Sequence, residues 1–397
     1  MSRFSSAPVS LGVVGAGYWG PNLVRNALAS PATDLRWVCD CDLPRARKVV
    51  GGRTAVAVTD SLDDLLDDDH LEAIAIATPA GTHAEIALAA MEAGKHVLIE
   101  KPLATSVADA EKLALVAAER ELVLMTDHTY CYTTAVKHVR TAVREGTIGD
   151  LQYIDSVRVN LGLVQPDIDV FWDLAPHDLS ILDFILPGGC TPLSVSAQSA
   201  DPIGAGVACI GYLTLQLQHG AIAHVNVNWL SPRKIRTTVI GGSRRIVVWD
   251  DVNPAQRLSF FDTGVDLMTP LSGDARHAAL VSYRSGDMIA PALCETEALT
   301  GVVSELAASI REHRRPMTDG ASGVRVVRIL DAVSRSIDRG GSAVALPDER
   351  RRADPSTNGS APHHPLGAFA TRDLSEPGVG FEPTTSSLQE KCSNQLS

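Results

Sequence analysis

The sequence lacks any run approaching the ~18 uninterrupted apolar residues of a membrane span, so no transmembrane helix is expected. It also lacks a basic block. Lys+Arg number 35 against 47 Asp+Glu, a net charge of −12, and nothing along the chain gathers enough cations to neutralise a run of phosphates. That excludes general nucleic-acid binding, and any anionic substrate must be met by a local basic patch. The seven cysteines are scattered and odd in number. Cys39 and Cys41 match no common zinc or redox spacing, so neither a disulfide framework nor a metal site is expected. Met1 to Ser10 holds one arginine and no long apolar stretch, so no secretory signal is expected either. These shortages describe a reduced, cytoplasmic protein. Its 45% apolar and 21% charged residues are those of a soluble globular chain. A length of 397 residues accommodates two domains and a tail at ~100–200 residues per domain.

What is present begins with Gly15-Ala16-Gly17-Tyr18-Trp19-Gly20, directly after the apolar run Val9–Val14. A strand that breaks into three spaced glycines and then a helix is suited to a pyrophosphate. The first glycine permits the tight turn, the second lets the backbone approach the phosphates, and the third lets helix and strand pack closely. The helix start offers unpaired N–H groups to the anion, and Pro21 sits where a missing N–H costs little. Asp40, about twenty residues on, ends the next apolar strand, where an acidic side chain accepts hydrogen bonds from an adenosine ribose. Asp40 also repels a 2′-phosphate, and Cys41 and Asp42 supply no cation to hold one. The expectation is NAD rather than NADP.

Strand candidates Val9–Val14, Leu35–Cys39, Thr54–Val58, Ala73–Ala77, His96–Ile99 and Leu122–Met125 alternate with helices. Ser61 with Asp64 and Thr82 with Glu85 fit capping boxes, and Gly94 sits where a helix would end. Short, wholly apolar strands alternating with helices imply a doubly wound parallel sheet covered on both faces. This Rossmann domain is taken as residues 1–127.

From residue 128 to 346 the pattern becomes that of an α+β domain. A helix at Ala135–Glu145 leads into a long strand, Leu151–Leu161, and a second helix near Pro176–Leu186. Six strands then follow without intervening helices: Leu193–Ser199, Val207–Gln218, Ala221–Trp229, Ile235–Ile240, Arg245–Trp249 and Arg257–Phe261. Residues 223–229 alternate apolar with polar, as in an open, mostly antiparallel sheet covered on one face. Helices Glu297–His313 and Val324–Asp338 close the domain. No internal repeat is evident. Residues 347–397 are rich in Pro, Ser, Thr, Gly and charge and read as a disordered tail. Within it, Gly380-Phe381-Glu382-Pro383 is what a transfer-RNA T-arm sequence would encode, a sign of read-through into an adjacent RNA gene.

Glu100-Lys101-Pro102 ends the fifth strand, and strand C-termini of an open parallel sheet face the ligand crevice. Lys101 there either polarises a substrate hydroxyl beside a nicotinamide or is a surface lysine. In Asp173-Leu174-Ala175-Pro176-His177 the proline places the helix start at or just before Ala175, with Asp173 near the N-cap. His177 is then a proton acceptor oriented by Asp173, or the pair is a cap and a packed histidine. Thr78 and Pro79, with His83 after them, either line the cofactor pocket or form a helix-entry loop. His128 and Tyr130 line the cleft between domains, or form a buried aromatic pair.

Together these segments resemble the Gfo/Idh/MocA family, the glucose–fructose oxidoreductase and inositol dehydrogenase group. The likeness rests on GVVGAGYWGPNLVRN, VCDCD, AIATPAGTHAEIALAAMEAGKHVLIEKPLA, NLGLVQPDIDVFWDLAPHDLSILDFIL and TDGASGVRVVRIL, from Gly12 to Leu330. The resemblance implies an NAD(P)-binding Rossmann domain and a C-terminal sheet that mediates homodimers or homotetramers. It further implies hydride transfer at a ring carbinol of a sugar, cyclitol or nucleotide sugar. Carried over by motif, the catalytic residues are Lys101, Asp173 and His177, and the cofactor is held by Gly15, Gly17, Tyr18, Trp19, Gly20, Asp40, Thr78, Pro79, His83, Glu100 and Lys101. The chain departs from the pattern at Phe171, Trp172, Ala175 and Pro176 and at Asp127, where many members carry glycine, and these changes reshape the substrate cleft. Three readings follow: an NAD-dependent sugar or nucleotide-sugar oxidoreductase, an inositol dehydrogenase, or a non-catalytic dinucleotide-sensing regulator. Intact Lys101, Asp173 and His177 disfavour the regulator. Arg233-Lys234-Ile235-Arg236 is either a diphosphate contact or a solvated sheet edge.

Overall fold

Six parallel strands form the first sheet of the computed structural model, which describes residues 7–165, 168–268, 280–294 and 296–347. In chain order they are β1 (Val9–Val14), α1 (Gly20–Ala29), β2 (Thr33–Cys39), α2 (Leu43–Val50), β3 (Ala57–Thr59), α3 (Asp63–Leu66), β4 (Ala73–Ile76), α4 (His83–Glu92), β5 (His96–Glu100), α5 (Val107–Glu119) and β6 (Leu124–Asp127). The strand order is β3-β2-β1-β4-β5-β6, a doubly wound sheet whose order reverses at β1 and β4. Every residue of β1, β4 and β6 is buried, as helices on both faces require.

Neither capping box forms. Leu62, not Ser61, precedes α3, and the Asp64 carboxylate accepts from the Thr59 hydroxyl. The Thr82 hydroxyl turns back to Thr78 and the Pro79 carbonyl. Both segments are short, tight entries in which a backward bond is closer to hand than the advancing N–H groups. Asp42, Ser106, Thr133 and Asp319 cap helices instead, each accepting from a backbone N–H inside its helix.

The second sheet follows α6 (Thr134–Arg144). Its elements are β7 (Leu151–Leu161), α7 (Val170–Ile185), β8 (Ser194–Ala200), β9 (Ile210–Gln216), β10 (Ile222–Asn228), β11 (Leu230–Gly242), β12 (Ile246–Asp250) and β13 (Leu258–Phe261). A hairpin of β14 (Gly264–Met268) and β15 (Leu280–Arg284), then β16 (Met288–Ile289), α8 (Ala298–Glu312), α9 (Gly320–Asp338) and β17 (Val344–Ala345) complete the described chain. Nine strands run β16-β13-β12-β11-β7-β10-β9-β8-β17, antiparallel except for β7 with β10. One face, carrying Ala197, Leu213, Leu215, Val225, Val227 and Ile240, is buried against α7 and α9. The other carries Tyr212, Ile222 and Ile235, all exposed, and no helix covers it among the described residues.

The helix expected near Pro176 starts six residues earlier, so Pro176 lies in its interior. Asp169 is the cap, accepting from the backbone N–H of Phe171 and Trp172. An interior proline costs ~3 kcal/mol. Burial of Val170, Phe171, Ala175, Leu179, Leu182 and Ile185 along one helix offsets it. Gly211 of β9 makes room for this: a Cβ there would lie 2.2 Å from the Phe171 ring. Asp173 and His177 therefore stand four residues apart on one helical face. After α8 the chain returns to the first sheet, where Thr126 N–H donates to the Thr318 carbonyl and the Thr318 hydroxyl to the Thr126 carbonyl. The tail expected at 347–397 lies outside the described residues beyond Pro347.

Candidate active site

The glycine loop at the end of β1 has the geometry its spacing implies. Gly15 has φ +95°, and a Cβ there would fall 2.6 Å from the Ala77 carbonyl oxygen. A Cβ on Gly20 would lie 2.0 Å from the Gly15 carbonyl, so the close helix–strand approach excludes any side chain. A Cβ on Gly17 meets nothing within 4 Å. Its open side, together with the start of α1, is a cradle that fits a pyrophosphate. Thr78 and Pro79 follow β4 next to this turn, with Thr78 N 2.8 Å from the same Gly15 Cβ position.

Asp40 is buried beneath the loop. It accepts from Ala16 N at 2.6 Å, from Asp42 N at 2.8 Å and from Arg45 at 2.5 and 3.2 Å. Burial would raise its pKa, but the Arg45, Asp42 and Ala16 bonds outweigh that and hold it at about 2. Arg45 is a cation that the residues directly after Asp40 did not reveal. His83 requires a correction. It is buried, its Nδ1 2.8 Å from the Pro102 carbonyl and its Nε2 2.9 Å from the Thr78 carbonyl. Its buried ring bridges the β4 and β5 loops, its one neutral N–H donating to one of those carbonyls, and it does not line the cleft. Burial holds its pKa below the usual histidine range.

A cleft of about 720 Å³ runs from Tyr18 and Trp19 past Glu100 and Lys101 to Asp173, His177 and Trp229. Lys101 Nζ donates to Asp173 twice, at 3.0 Å to Oδ1 and 2.8 Å to the main-chain carbonyl. Trp229 Nε1 donates to the other carboxylate oxygen at 3.0 Å. Asp173 therefore orients Lys101, not His177 as expected: no hydrogen bond joins it to His177 among the described residues. His177 is held by the edge of the Tyr130 ring, with centroids 5.1 Å apart at 73°. Its Nδ1 is buried with no partner among the described residues. Burial, then the charges of Lys101, Arg158 and Arg236, keep its pKa well below the ordinary histidine value, so the imidazole rests neutral.

Tyr130 lines the cleft; His128 does not. His128 is buried, with both ring nitrogens unpartnered among the described residues, and burial lowers its pKa to about 4. Arg236 Nη1 donates to the Tyr130 hydroxyl at 2.6 Å, and the Arg158 guanidinium lies 4.5 Å from the ring centre. Arg158 is itself buried against Asp178 at 2.7 and 3.1 Å. Glu100 Oε2 is buried and has no partner among the described residues. Burial, with Asp127 opposite it on β6, raises the Glu100 pKa to about 8, so a neutral carboxyl faces the cleft. Asp127 accepts from Trp19 Nε1 at 3.1 Å and from the Thr129 hydroxyl at 2.8 Å.

Trp229 and Arg158 went unnoticed as site residues in the sequence, and Arg236 was singled out only within the cluster Arg233-Lys234-Ile235-Arg236, of which it alone lines the cleft. The one available signal was polar or bulky residues at inward positions of alternating strands, and only the fold shows which face is inward.

A family model described as an oxidoreductase family with an NAD-binding Rossmann fold matches residues 9–128, and the GFO/IDH/MocA C-terminal domain matches residues 136–247. UDP-N-acetylglucosamine 3-dehydrogenase of Acidithiobacillus ferrooxidans is 28% identical over 80% of this chain and 93% of its own length. Inositol 2-dehydrogenase 1 of Saccharopolyspora erythraea is 30% identical over 55% of this chain and 67% of its own. The solved structure of the Acidithiobacillus enzyme superposes with a TM-score of 0.69, at 26% identity, covering 83% of this chain and 97% of that one.

Proposed function

Because the chain belongs to the GFO/IDH/MocA oxidoreductase family, we propose that it transfers hydride between NAD and a ring carbinol of a sugar or nucleotide sugar. Lys101 joined to Asp173 at 3.0 Å, with His177 one turn along the same helix, carries this reading. The loop from Gly15 to Gly20 would hold the pyrophosphate, Asp40 the adenosine ribose, and Glu100 and Lys101 would border the nicotinamide. Bound NAD supplies the hydride acceptor, or the donor in reverse.

The chain's own residues manage the oxygen. As the carbinol carbon loses hydride, its hydroxyl proton passes to neutral His177, leaving a ketone. Lys101 hydrogen-bonds the same oxygen and stabilises the charge developing on it. Asp173 and Trp229 hold Lys101 in place. In this reading residues 1–127 bind the cofactor and residues 128–346 the substrate. The preference is for NAD over NADP, and the reaction falls among dehydrogenases acting on CH–OH groups.

The uncovered face of the second sheet, with Tyr212, Ile222 and Ile235 exposed, supports a homodimer or homotetramer. No described helix is long and apolar enough to cross a membrane. Purified protein with NAD and a panel of inositols, free sugars and UDP- or dTDP-sugars tests the activity through NADH formation. The reading predicts turnover of at least one sugar; absence of turnover across the panel together with absence of NAD binding rejects it.

A further inference from the structure

Resting on that reading, we propose that the substrate carries an anionic group, a carboxylate or a phosphate, and that Arg236 is the residue that binds it. The charged groups of the cleft are otherwise matched. Asp173 is shared by Lys101 and Trp229, and Glu297 is clamped by Arg25 at 2.6 and 2.8 Å and by Asn26 at 3.0 Å. Arg236 is different. Its Nη1 donates to the Tyr130 hydroxyl and stands 3.6 Å from Asp251, while Nε and Nη2 have no partner among the described residues. The side chain is 30% exposed and lines the cleft.

Its position on the strand explains why it is there. The β7–β11 register slips between Leu230 and Ile235, and beyond the slip Arg236 pairs with Arg158. Arg158 points to the covered face, so Arg236 does too, while Arg233 and Lys234 remain exposed on the strand. Like charges directly opposite each other across two strands repel. Arg158 is neutralised by Asp178 at 2.7 Å; among the described residues Arg236 has only the looser Asp251 as a counter-charge. A guanidinium presses a forked pair of donors on a carboxylate or phosphate, and the Tyr130 bond fixes the plane of this one. Tyr130 also touches His177, so an anion on Arg236 would sit within the span of a sugar ring and its substituent from the reacting hydroxyl.

The test uses the full chain saturated with NAD, which keeps added anions out of the pyrophosphate cradle. Glucuronate and inorganic pyrophosphate are titrated calorimetrically into the wild type, Arg236→Gln and Arg236→Lys, with circular dichroism checking each fold. Binding of at least one anion is expected, weakened about 10- to 100-fold in Arg236→Gln, as for loss of a charge-assisted pair. Arg236→Lys should recover part of the loss, because a point charge replaces the fork. Glucuronate alone identifies a carboxylate, and pyrophosphate alone a phosphate. In parallel, NADH formation is followed with UDP-N-acetylglucosamine, glucuronate and myo-inositol, and Arg236→Gln should raise KM for the anionic substrate more than it lowers kcat. Failure of both anions to bind the wild type, or equal binding by Arg236→Gln, overturns the inference. Arg236-dependent anion binding without turnover of any sugar would keep the anion site and reject the hydride-transfer reading. Turnover of myo-inositol alone, without anion binding, would do the reverse.

Discussion

The two sheets of this protein place their functional groups by opposite rules. In the parallel sheet, helices cover both faces and the central strands are largely apolar, so the groups of the candidate site enter where strands end: the loop after β1, Asp40 after β2, Glu100 and Lys101 at the end of β5, and Asp127 at the end of β6. In the antiparallel sheet one face is open and the other packs on helices. There the functional groups stand in mid-strand, Arg158 on β7 and Arg236 on β11, paired across the register. A residue at a strand end can be changed with little damage to packing. A charged residue in mid-strand on a covered face is part of the core and must be neutralised there. The first sheet therefore separates chemistry from stability, and the second combines them.

The sharpest way to break this comparison is at the strand end. Lys101→Ala is expected to reduce turnover by at least the ~10²–10⁴ typical of lost acid–base help, with thermal stability lowered less than by a mid-strand change. His177→Ala should fall in the same range. A large drop in melting temperature for Lys101→Ala would contradict the separation. Mid-strand, Arg158→Leu leaves Asp178 buried without its cation and should cost ~3–5 kcal/mol in denaturant unfolding. An unchanged midpoint would show that the second sheet does not combine the two roles.

His128, just past the strand end, sharpens the comparison through pH. Its folded pKa of about 4 lies below the ordinary 6.5. The unfolded chain therefore takes up a proton that the folded one refuses. Stability is full above pH 6.5 and is lost as pH falls to about 4, amounting to roughly 3 kcal/mol for this group. His128→Phe should flatten that part of the pH–stability curve, and an unaltered curve would remove the assignment. The smallest expected effect is on cofactor choice. Asp40→Ser frees Arg45 from its carboxylate partner, and NADP should gain on NAD by about tenfold in relative affinity, an effect reversed by adding Arg45→Ala. Fluorescence titration with both dinucleotides checks it; an unchanged ratio would mean that the Asp40–Arg45 pair does not set the preference.

Much of the first sheet was legible because its cues are local. An apolar run, three spaced glycines and an acidic residue at the next strand end are consecutive in the chain, and each constrains the backbone where it stands. The start of α7 was not. Pro176 marks a helix start by local preference, and only the burial of Val170 and Phe171 against β9 makes a proline inside the helix tolerable. The role of Asp173 was misread for a related reason. Sequence spacing brings His177 to its face, but the carboxylate instead accepts from Lys101 and Trp229, which arrive from elements 72 and 56 residues away.

The sequence by itself determined the class of both sheets and the dinucleotide loop, and it named the titratable side chains on which the proposed proton transfer rests. Each of these follows from short-range periodicity, backbone freedom or side-chain chemistry. The tertiary structure alone decided which partner each polar group has: Asp173 with Lys101, Asp40 with Arg45, Arg158 with Asp178, and Arg236 facing the cleft beside Tyr130. A carboxylate or guanidinium is satisfied by whatever lies within about 3 Å of it, and in a folded chain that neighbour is set by strand register and helix packing, not by distance along the sequence.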